Sequence, residues 1–141
     1  MKTLATGKVV KAFGNLLHIA FEGNIRQGEV AMIDLDGISL KGEVIEIIGD
    51  VVKLQVFEDT RGVRFGTHVE FSTHLLEAEL GPGLLTSIFD GLQNPLEQIA
   101  NATGLFLTRG TYLPALDYKR HWDYHPTCQI GDVLCRGEEI G

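Results

Sequence analysis

The glycines, lysines and carboxylates of this 141-residue chain are where chemistry would first be sought. A phosphate-binding loop needs glycines whose N–H groups approach the phosphates, and a lysine for their charge, in the spacing GxxxxGK[ST]. Gly7-Lys8 is followed by Val9 and has no upstream glycine, and Gly81-Pro82-Gly83 has no lysine beside it. Paired carboxylates such as Glu138-Glu139 are common on surfaces, and no Ser/His/Asp or Cys/His signature stands out. We therefore assign no catalytic and no cofactor-binding residue.

A metal site could be built from His121, His125 and Cys128, which are residue types that bind zinc. The set lacks a convincing fourth ligand, and Pro126 breaks any helix that would align the three side chains. Cys128 and Cys135 are also too far apart for a zinc knuckle, whose paired cysteines are about two to four residues apart. The prediction is therefore that no metal is bound and that these are ordinary surface or half-buried residues.

Composition excludes several other classes of function. The net charge is −7 and the 12 basic residues are scattered, the densest cluster being Lys119-Arg120, which argues against nucleic acid as a partner. The chain is 44% apolar and 22% charged, as in soluble globular proteins, and it has no run of about 20 apolar residues for direct membrane insertion. Its first residues lack the apolar core of a signal peptide, so the expected location is cytoplasmic.

Residues 1–74 are predicted to form a small, closed, six-stranded β-barrel. Turn signals at regular intervals separate short alternating segments: 8–13, 17–21, 29–34, 38–48, 52–56 and 67–71. Asp36-Gly37 and Gly49-Asp50 are typical of tight hairpins. The apolar phase changes within Ile38–Ile48, and Gly42 is the predicted place of the bulge that absorbs the change.

Residues 75–103 are predicted to be a connector with short helices. Apolar side chains recur there at helical spacing: Leu84, Leu85, Ile88, Phe89 and Leu92. Asn94-Pro95 ends that helix, and a second helix follows in which Asn94 is the cap, Pro95 the first helical residue and Glu97 the end of a capping box.

Residues 104–141 are predicted to be extended again and mainly β. Leu105-Phe106-Leu107, Tyr112-Leu113 and Trp122-Asp123-Tyr124 read as strand pieces separated by Gly110, Pro114 and Pro126. The turns at the end resemble those of barrel-sandwich folds such as lipoyl domains, without the lysine that carries the cofactor there. With too few strands to close a core, this region is expected to be the truncated beginning of a larger one.

Two stretches of the sequence carry a family resemblance. Residues 79–96 are similar to the LGPGLLGSIFDGIQRPL segment that follows the N-terminal barrel in the catalytic A subunits of V-type (archaeal/vacuolar-type) rotary ATPases. The matching residues are Gly81, Pro82, Gly83, Leu84, Leu85, Ser87, Ile88, Phe89, Asp90, Gly91 and Pro95. A second stretch is similar to the opening of the A subunits' extra "bulge" region, through Arg109, Gly110, Pro114, Ala115, Leu116 and Asp117. The sequence departs from the family pattern at Thr86, where Gly is usual, and at Asn94, where Arg is common.

The resemblance implies the non-catalytic front of a subunit that hydrolyses or makes ATP, coupled to proton or sodium transport. ATP and Mg would bind the parent subunit beyond Gly141, so no cofactor belongs to this part. The implied partners are B subunits in an alternating hexamer and the central and peripheral stalk subunits. The barrel would join the crown of the hexamer, and the bulge would dock the peripheral stalk. The implied location is cytoplasmic, peripheral on the membrane.

Two other readings stay open from the residues. A stand-alone β-barrel binding module would need a modified lysine or a basic ligand face, and the sequence shows neither. A metal-assisted hydrolase would need the histidine and cysteine set considered above. We also predict self-association of the chain, on the reasoning that strands after residue 104 expose unpaired edges.

Overall fold

The computed structural model of the chain describes residues 4–85, 87–104 and 106–141. These residues contain six strands and one helix: β1 Thr6–Phe13, β2 Leu16–Glu22, β3 Glu29–Leu35, β4 Ile38–Ile48, β5 Val51–Val56, β6 His68–Leu75 and α1 Leu96–Thr103. All strand pairs are antiparallel, and the strands close into a barrel in the order β1-β2-β5-β4-β3-β6 because β6 pairs back onto β1. The prediction of a closed six-stranded barrel and a mainly β chain is confirmed.

The barrel interior is filled by the side chains of alternate strand residues, as the period of two predicts. Twelve of these side chains are almost completely buried: Val9, Leu17, Ile19, Ala31, Ile33, Leu40, Val44, Val52, Leu54, Val56, Val69 and Phe71. Phe71 is the largest and meets the edge of the Phe21 ring at a centroid distance of 6.5 Å. Each buried aliphatic or aromatic side chain contributes about 1.5–3 kcal/mol of transfer free energy, so the barrel has a core of its own.

Both predicted hairpins are present. Asp36 and Gly37 connect β3 to β4 with φ angles of 48° and 89°, the positive values that a type I′ turn requires. Gly49, with a φ of 60°, and Asp50 connect Ile48 to its partner Val51.

The bulge in β4 lies at Ile45, so its predicted position at Gly42 was wrong. The β4–β5 register shifts between Val44 and Glu46, and from there the isoleucines of β4 lie on the outside of the barrel. Gly42 serves a different purpose: a Cβ there would lie 2.8 Å from the Gln55 carbonyl oxygen, so the glycine permits a close approach of β5.

A buried carboxylate fixes the end of the last strand. Glu29 is 1% exposed and lies where the β3–β6 register shifts, beside Thr73, whose φ is +65°. Its Oε1 accepts the Thr73 N–H at 2.9 Å, and its Oε2 accepts the Arg26 N–H at 3.1 Å. The Arg26 guanidinium donates to the Thr73 carbonyl at 2.6 Å. These bonds satisfy backbone groups that the irregular ladder leaves unpaired, and they set the direction in which the chain leaves the barrel.

The first connector helix, predicted over Leu84–Leu92, does not form in the residues described there, and Thr86 lies outside them. Instead the chain turns at Gly83, whose φ is +98°, and Phe89 makes an antiparallel bridge with Pro95. The Asp90 carboxylate accepts the N–H groups of Leu92 and Asn94. These bonds replace the ones a helix would make, because a short acidic side chain competes with the helical backbone for its donors.

The helix predicted after Asn94-Pro95 is α1, but its predicted cap is wrong. The N-cap residue is Pro95 and has no side-chain cap bond. The Asn94 side chain is 6% exposed and donates to Asp90 instead of capping the helix. Glu97, predicted to complete a capping box, is the acidic residue of the first turn of α1, where a negative charge faces the positive end of the helix dipole.

The strand pieces predicted after residue 104 are absent from the described residues 106–141. Leu105 lies outside the described residues, while Phe106-Leu107, Tyr112-Leu113 and the segment at Trp122 have no strand partner. No described residue of this region pairs in a sheet, so the region is irregular. We refer to residues 106–141 as the arm. The division of the chain at residues 74 and 103 into barrel, connector and bulge region stays a prediction.

Candidate functional site

The signature stretch of the connector is organised around the carboxylate of Asp90. Its Oδ1 accepts the N–H groups of Leu92 at 2.9 Å and Asn94 at 2.8 Å, and its Oδ2 accepts the Asn94 side-chain amide at 2.8 Å. The Leu96 N–H donates to the Ile88 carbonyl at 3.0 Å. A single acidic side chain therefore closes the turn that leads into α1.

Two opposing effects act on the pKa of Asp90. Burial raises it, whereas the hydrogen bonds from Asn94 and Leu92 and the charge of Lys41 lower it. The lowering effects win, and the pKa of Asp90 lies below its ordinary value. Asp90 is thus a stable anion that holds a turn, and its donors leave it poorly suited to accept a proton in catalysis.

The glycines of the signature make room for the arm, which brings the two matched stretches together. A Cβ on Gly81 would lie 2.8 Å from Leu116 Cδ1, and a Cβ on Gly83 would lie 3.2 Å from the Trp122 ring. The Tyr118 hydroxyl also donates to the Glu79 carboxylate, which raises the pKa of Tyr118. Gly83 therefore favours glycine both for its φ of +98° and for its packing against Trp122, whereas the end of the Leu116 side chain could move away from a Cβ on Gly81.

The backbone of Glu79 and the side-chain amide of Gln93 exchange two hydrogen bonds. The Gln93 side chain donates to the Glu79 carbonyl at 2.6 Å and accepts the Glu79 N–H at 2.6 Å. Gln93 has a φ of +62°, an uncommon angle for a residue with a Cβ, so the pair holds a strained turn in place. In this way the start and the end of the signature stretch are fastened to each other.

The second matched stretch contacts the barrel directly. One guanidinium nitrogen of Arg109, Nη1, donates to the carbonyls of Asp59 at 3.0 Å and Arg61 at 2.8 Å. The Gly110 N–H donates to both oxygens of the Glu58 carboxylate at 3.2 Å. Gly110 has a φ of +71°, and a Cβ there would lie 2.5 Å from Ile38 Cγ2, so this position needs glycine for conformation and for space.

The remaining signature residues do not form a single cluster. Ser87 lies in the connector turn, where its Oγ donates to the Gly83 carbonyl at 3.2 Å, and Asp117 accepts the Lys119 N–H at 2.9 Å. Pro95 is buried, whereas Leu84, Phe89, Ala115 and Leu116 are half-buried and Pro82, Gly91 and Pro114 are exposed. Leu85 is 87% exposed and Ile88 63% exposed. Apolar side chains this accessible within a signature mark a contact surface more readily than a core.

Sequence reasoning missed the roles of Glu58, Tyr112, Glu79 and Gln93, which stabilise the contacts between barrel, connector and arm that we call the junction. Glu58 and Tyr112 lie in no local motif, and Glu79 and Gln93 lie within the signature stretch 79–96, where the resemblance gave them no role. Their partners lie far along the chain: Glu58 contacts residues 52 and 54 positions away, and Glu79 and Gln93 are 14 positions apart. No short-range pattern could have identified these contacts.

A metal centre and a groove are the two kinds of site that the junction could offer. Within the residues that the structure describes, no three His, Cys, Asp or Glu side chains lie close enough together to hold a metal ion, and His121, His125 and Cys128 are not brought into such a group. A groove of about 250 Å³ lies between barrel and connector, lined by polar groups that include Glu58, Asp90 and Arg109. Those groups are occupied by the bonds described above, so the arrangement is suited to holding segments of protein together.

In the part of the chain covered by the structure, no helix combines the length and the apolar character that crossing a bilayer demands.

The fold and the junction define a β-barrel domain with a connector and an arm fastened to its side. The model of the β-barrel domain of the ATP synthase alpha/beta family matches residues 3–73. The chain belongs to this family.

Three curated relatives are similar over nearly all of the chain. The V-type ATP synthase alpha chain of Protochlamydia amoebophila (strain UWE25) is 62% identical over 148 residues, which cover 100% of this chain and 25% of the relative. The protein of the same name from Chlamydia muridarum (strain MoPn / Nigg) is 54% identical over 140 residues, covering 99% and 24%. That of Chlamydia caviae (strain ATCC VR-813 / DSM 19441 / 03DC25 / GPIC) is 55% identical over 135 residues, covering 96% and 23%. The chain spans about a quarter of the length of these relatives.

Proposed function

We propose that this chain is the N-terminal part of the catalytic A subunit of a rotary V-type ATPase or ATP synthase, and that it serves assembly. The observation that carries the proposal is the 62% identity to a V-type ATP synthase alpha chain over the whole length of the chain. ATP and Mg bind elsewhere in the parent subunit, which hydrolyses or makes ATP in step with proton or sodium transport. The complex lies on the cytoplasmic face of the membrane.

The barrel supplies the contact with neighbouring subunits. Because the strands are antiparallel, the start of β1 and the ends of β4 and β6 lie at the same end of the barrel. Exposed apolar side chains gather there: Leu4, Ile45, Ile47, Ile48, Leu75 and Leu76. We call these six residues the barrel-end patch. Since the interior core is already complete, they are available to pack against the barrel of a B subunit in an alternating hexamer.

The arm supplies a second contact surface. Several of its apolar side chains are almost fully accessible, among them Phe106 at 85%, Ile130 at 109% and Val133 at 94%. Because the arm has so little core of its own, a protein that packs over these apolar side chains would stabilise it. Docking of a peripheral stalk subunit on the outer side of the hexamer fits this surface, and contact with the central stalk belongs to other parts of the parent.

The test is association with a B subunit of the same family. The 141-residue chain is mixed with the purified B subunit and analysed by light scattering and native mass spectrometry, with Ile47→Glu and Ile48→Glu in the barrel-end patch and Val133→Glu as a matched control outside it. Binding that is lost in the two patch variants and retained in the control is the expected result. A wild-type chain that does not associate at all would overturn the assembly role.

Calorimetry distinguishes the assembly role from that of a stand-alone binding module. We expect no heat of binding when Mg-ATP is added to the chain, since the sequence contains no phosphate-binding loop. Specific binding of a small ligand at micromolar affinity would favour the module instead.

A further inference from the structure

Residues 108–112 run across the outside of the barrel where β5 ends, and we call them the strap. Three strap residues touch the barrel or the loop that follows β5. Arg109 donates to carbonyls of that loop, Gly110 lies so near β4 that a Cβ on it would be 3.2 Å from the Ser39 carbonyl oxygen, and Tyr112 lies beside Lys41. The strap belongs to the arm in sequence, yet these contacts are with the barrel and with the loop that follows β5.

Tyr112 takes the place of a missing strand partner. β5 ends at Val56, and although Phe57 still donates its N–H to the Lys41 carbonyl at 3.1 Å, the Lys41 N–H finds its acceptor elsewhere. It donates to the Tyr112 hydroxyl at 2.7 Å. The tyrosine therefore satisfies a β4 donor that the end of β5 would have left open.

The hydroxyl of Tyr112 also connects that strand to the strap. It donates to Glu58 Oε2 at 2.9 Å, and the same carboxylate accepts the Gly110 N–H. The result is a continuous series of bonds from the Lys41 amide through the hydroxyl and the carboxylate to the Gly110 amide. Bonds in such a series polarise and strengthen one another.

The surroundings of Tyr112 favour its neutral, hydrogen-bonding form. Burial raises the pKa of Tyr112, and the hydrogen bond to Glu58 raises it further. The Lys41 ammonium group lies 4.6 Å from the centre of the ring, where a cation is attracted to the ring face. The phenol thus remains protonated at any physiological pH, and the bond to Glu58 stays formed.

We propose that the strap is a cooperative latch, closed by the Tyr112–Glu58 bond, that makes the barrel and the start of the arm move as one body. The latch opens as a unit: breaking the tyrosine bond releases Arg109 and Gly110 as well, although neither touches the hydroxyl. This proposal goes beyond the assembly role and does not depend on it, since it concerns contacts within one chain.

Amide hydrogen exchange followed by NMR tests the latch on the 141-residue chain. Tyr112→Phe removes only the hydroxyl, and Tyr118→Phe is the matched control, because it removes an exposed hydroxyl that bonds to Glu79. In Tyr112→Phe we expect the exchange of both the Lys41 and the Gly110 amides to accelerate about fivefold or more, the effect of losing one hydrogen bond. In Tyr118→Phe both rates stay as in the wild type.

The Gly110 amide decides the outcome, because its acceptor Glu58 is still present in Tyr112→Phe. Acceleration confined to Lys41 would mean that the contacts are independent, and it would overturn the latch. Glu58→Gln is a second variant with the same expected pattern. Trypsin adds a separate readout: cleavage after Arg109 should quicken in both latch variants, whereas cleavage after the exposed Arg136 stays unchanged. Equal rates after Arg109 in wild type and variants would also refute the proposal.

Discussion

Replacing Glu29 by alanine should destabilise the barrel more than any surface substitution. The carboxylate accepts two backbone N–H groups, those of Thr73 and Arg26, from a position that is 1% exposed. Leaving a fully buried donor without an acceptor costs about 1–3 kcal/mol, and because the Thr73 and Arg26 N–H groups are only partly buried we expect a loss of about 1–3 kcal/mol for the two together. A domain of this size has a free energy of unfolding of about 5–15 kcal/mol, so the loss would be a large fraction of it.

Urea unfolding followed by far-ultraviolet circular dichroism measures this loss, because the signal reports the β-barrel. Glu29→Gln should lie between wild type and Glu29→Ala, since the amide oxygen can accept one N–H while its NH₂ group faces the other. Glu70→Ala is the control: its side chain is 59% exposed on the neighbouring strand β6, and we expect a change within about 0.5 kcal/mol.

The reasoning about Glu29 would be refuted by a Glu29→Ala variant whose unfolding free energy is within about 0.5 kcal/mol of the wild type. Such a result would mean that water reaches the two donors as soon as the carboxylate is removed.

Three further predictions concern the core, the strap and the connector. Phe71→Ala should lower the unfolding free energy by about 3–5 kcal/mol in the urea assay, because it empties the centre of the barrel, whereas Phe13→Ala, at a site 59% exposed, should have a much smaller effect. Gly110→Ala forces a Cβ into a positive φ and against Ile38, a conformational cost of about 1–2 kcal/mol, so trypsin should cleave after Arg109 faster than in the wild type. The lowered pKa of Asp90 means that its turn is most stable above the ordinary carboxyl value of about 3.9 and loses that stability as the pH falls through the lowered pKa. The Asn94 side-chain NMR signals should report this transition, and Asp90→Asn should abolish it; a transition that persists in the variant would rule out Asp90 as its origin.

Self-association of the chain stays a prediction, but the reason given from the sequence was wrong. Strands after residue 104, whose edges were expected to pair, are absent from the described residues of the arm. The barrel-end patch is the surface that would now carry a dimer. Light scattering should show concentration-dependent dimers that Ile47→Glu weakens, and a strict monomer at high concentration would contradict this expectation.

The sequence alone determined the barrel. Its strands alternate apolar and polar residues, and its turns contain the Asp36-Gly37 and Gly49-Asp50 pairs, so both signals are local and act over two to four residues. The resemblance of residues 79–96 to a family signature likewise needed no coordinates, and the family is confirmed.

Only the tertiary structure decided how the connector and arm are held. The apolar spacing of Leu84–Leu92 predicted a helix, but the bonds that Asp90 accepts from Leu92 and Asn94 close a turn there instead. The bulge of β4 lies at Ile45, and Gly42 instead permits the close approach of β5. The latch joins Glu58 to Tyr112 across 54 positions of the chain. Contacts at such separations depend on how the barrel closes, and no local pattern encodes them.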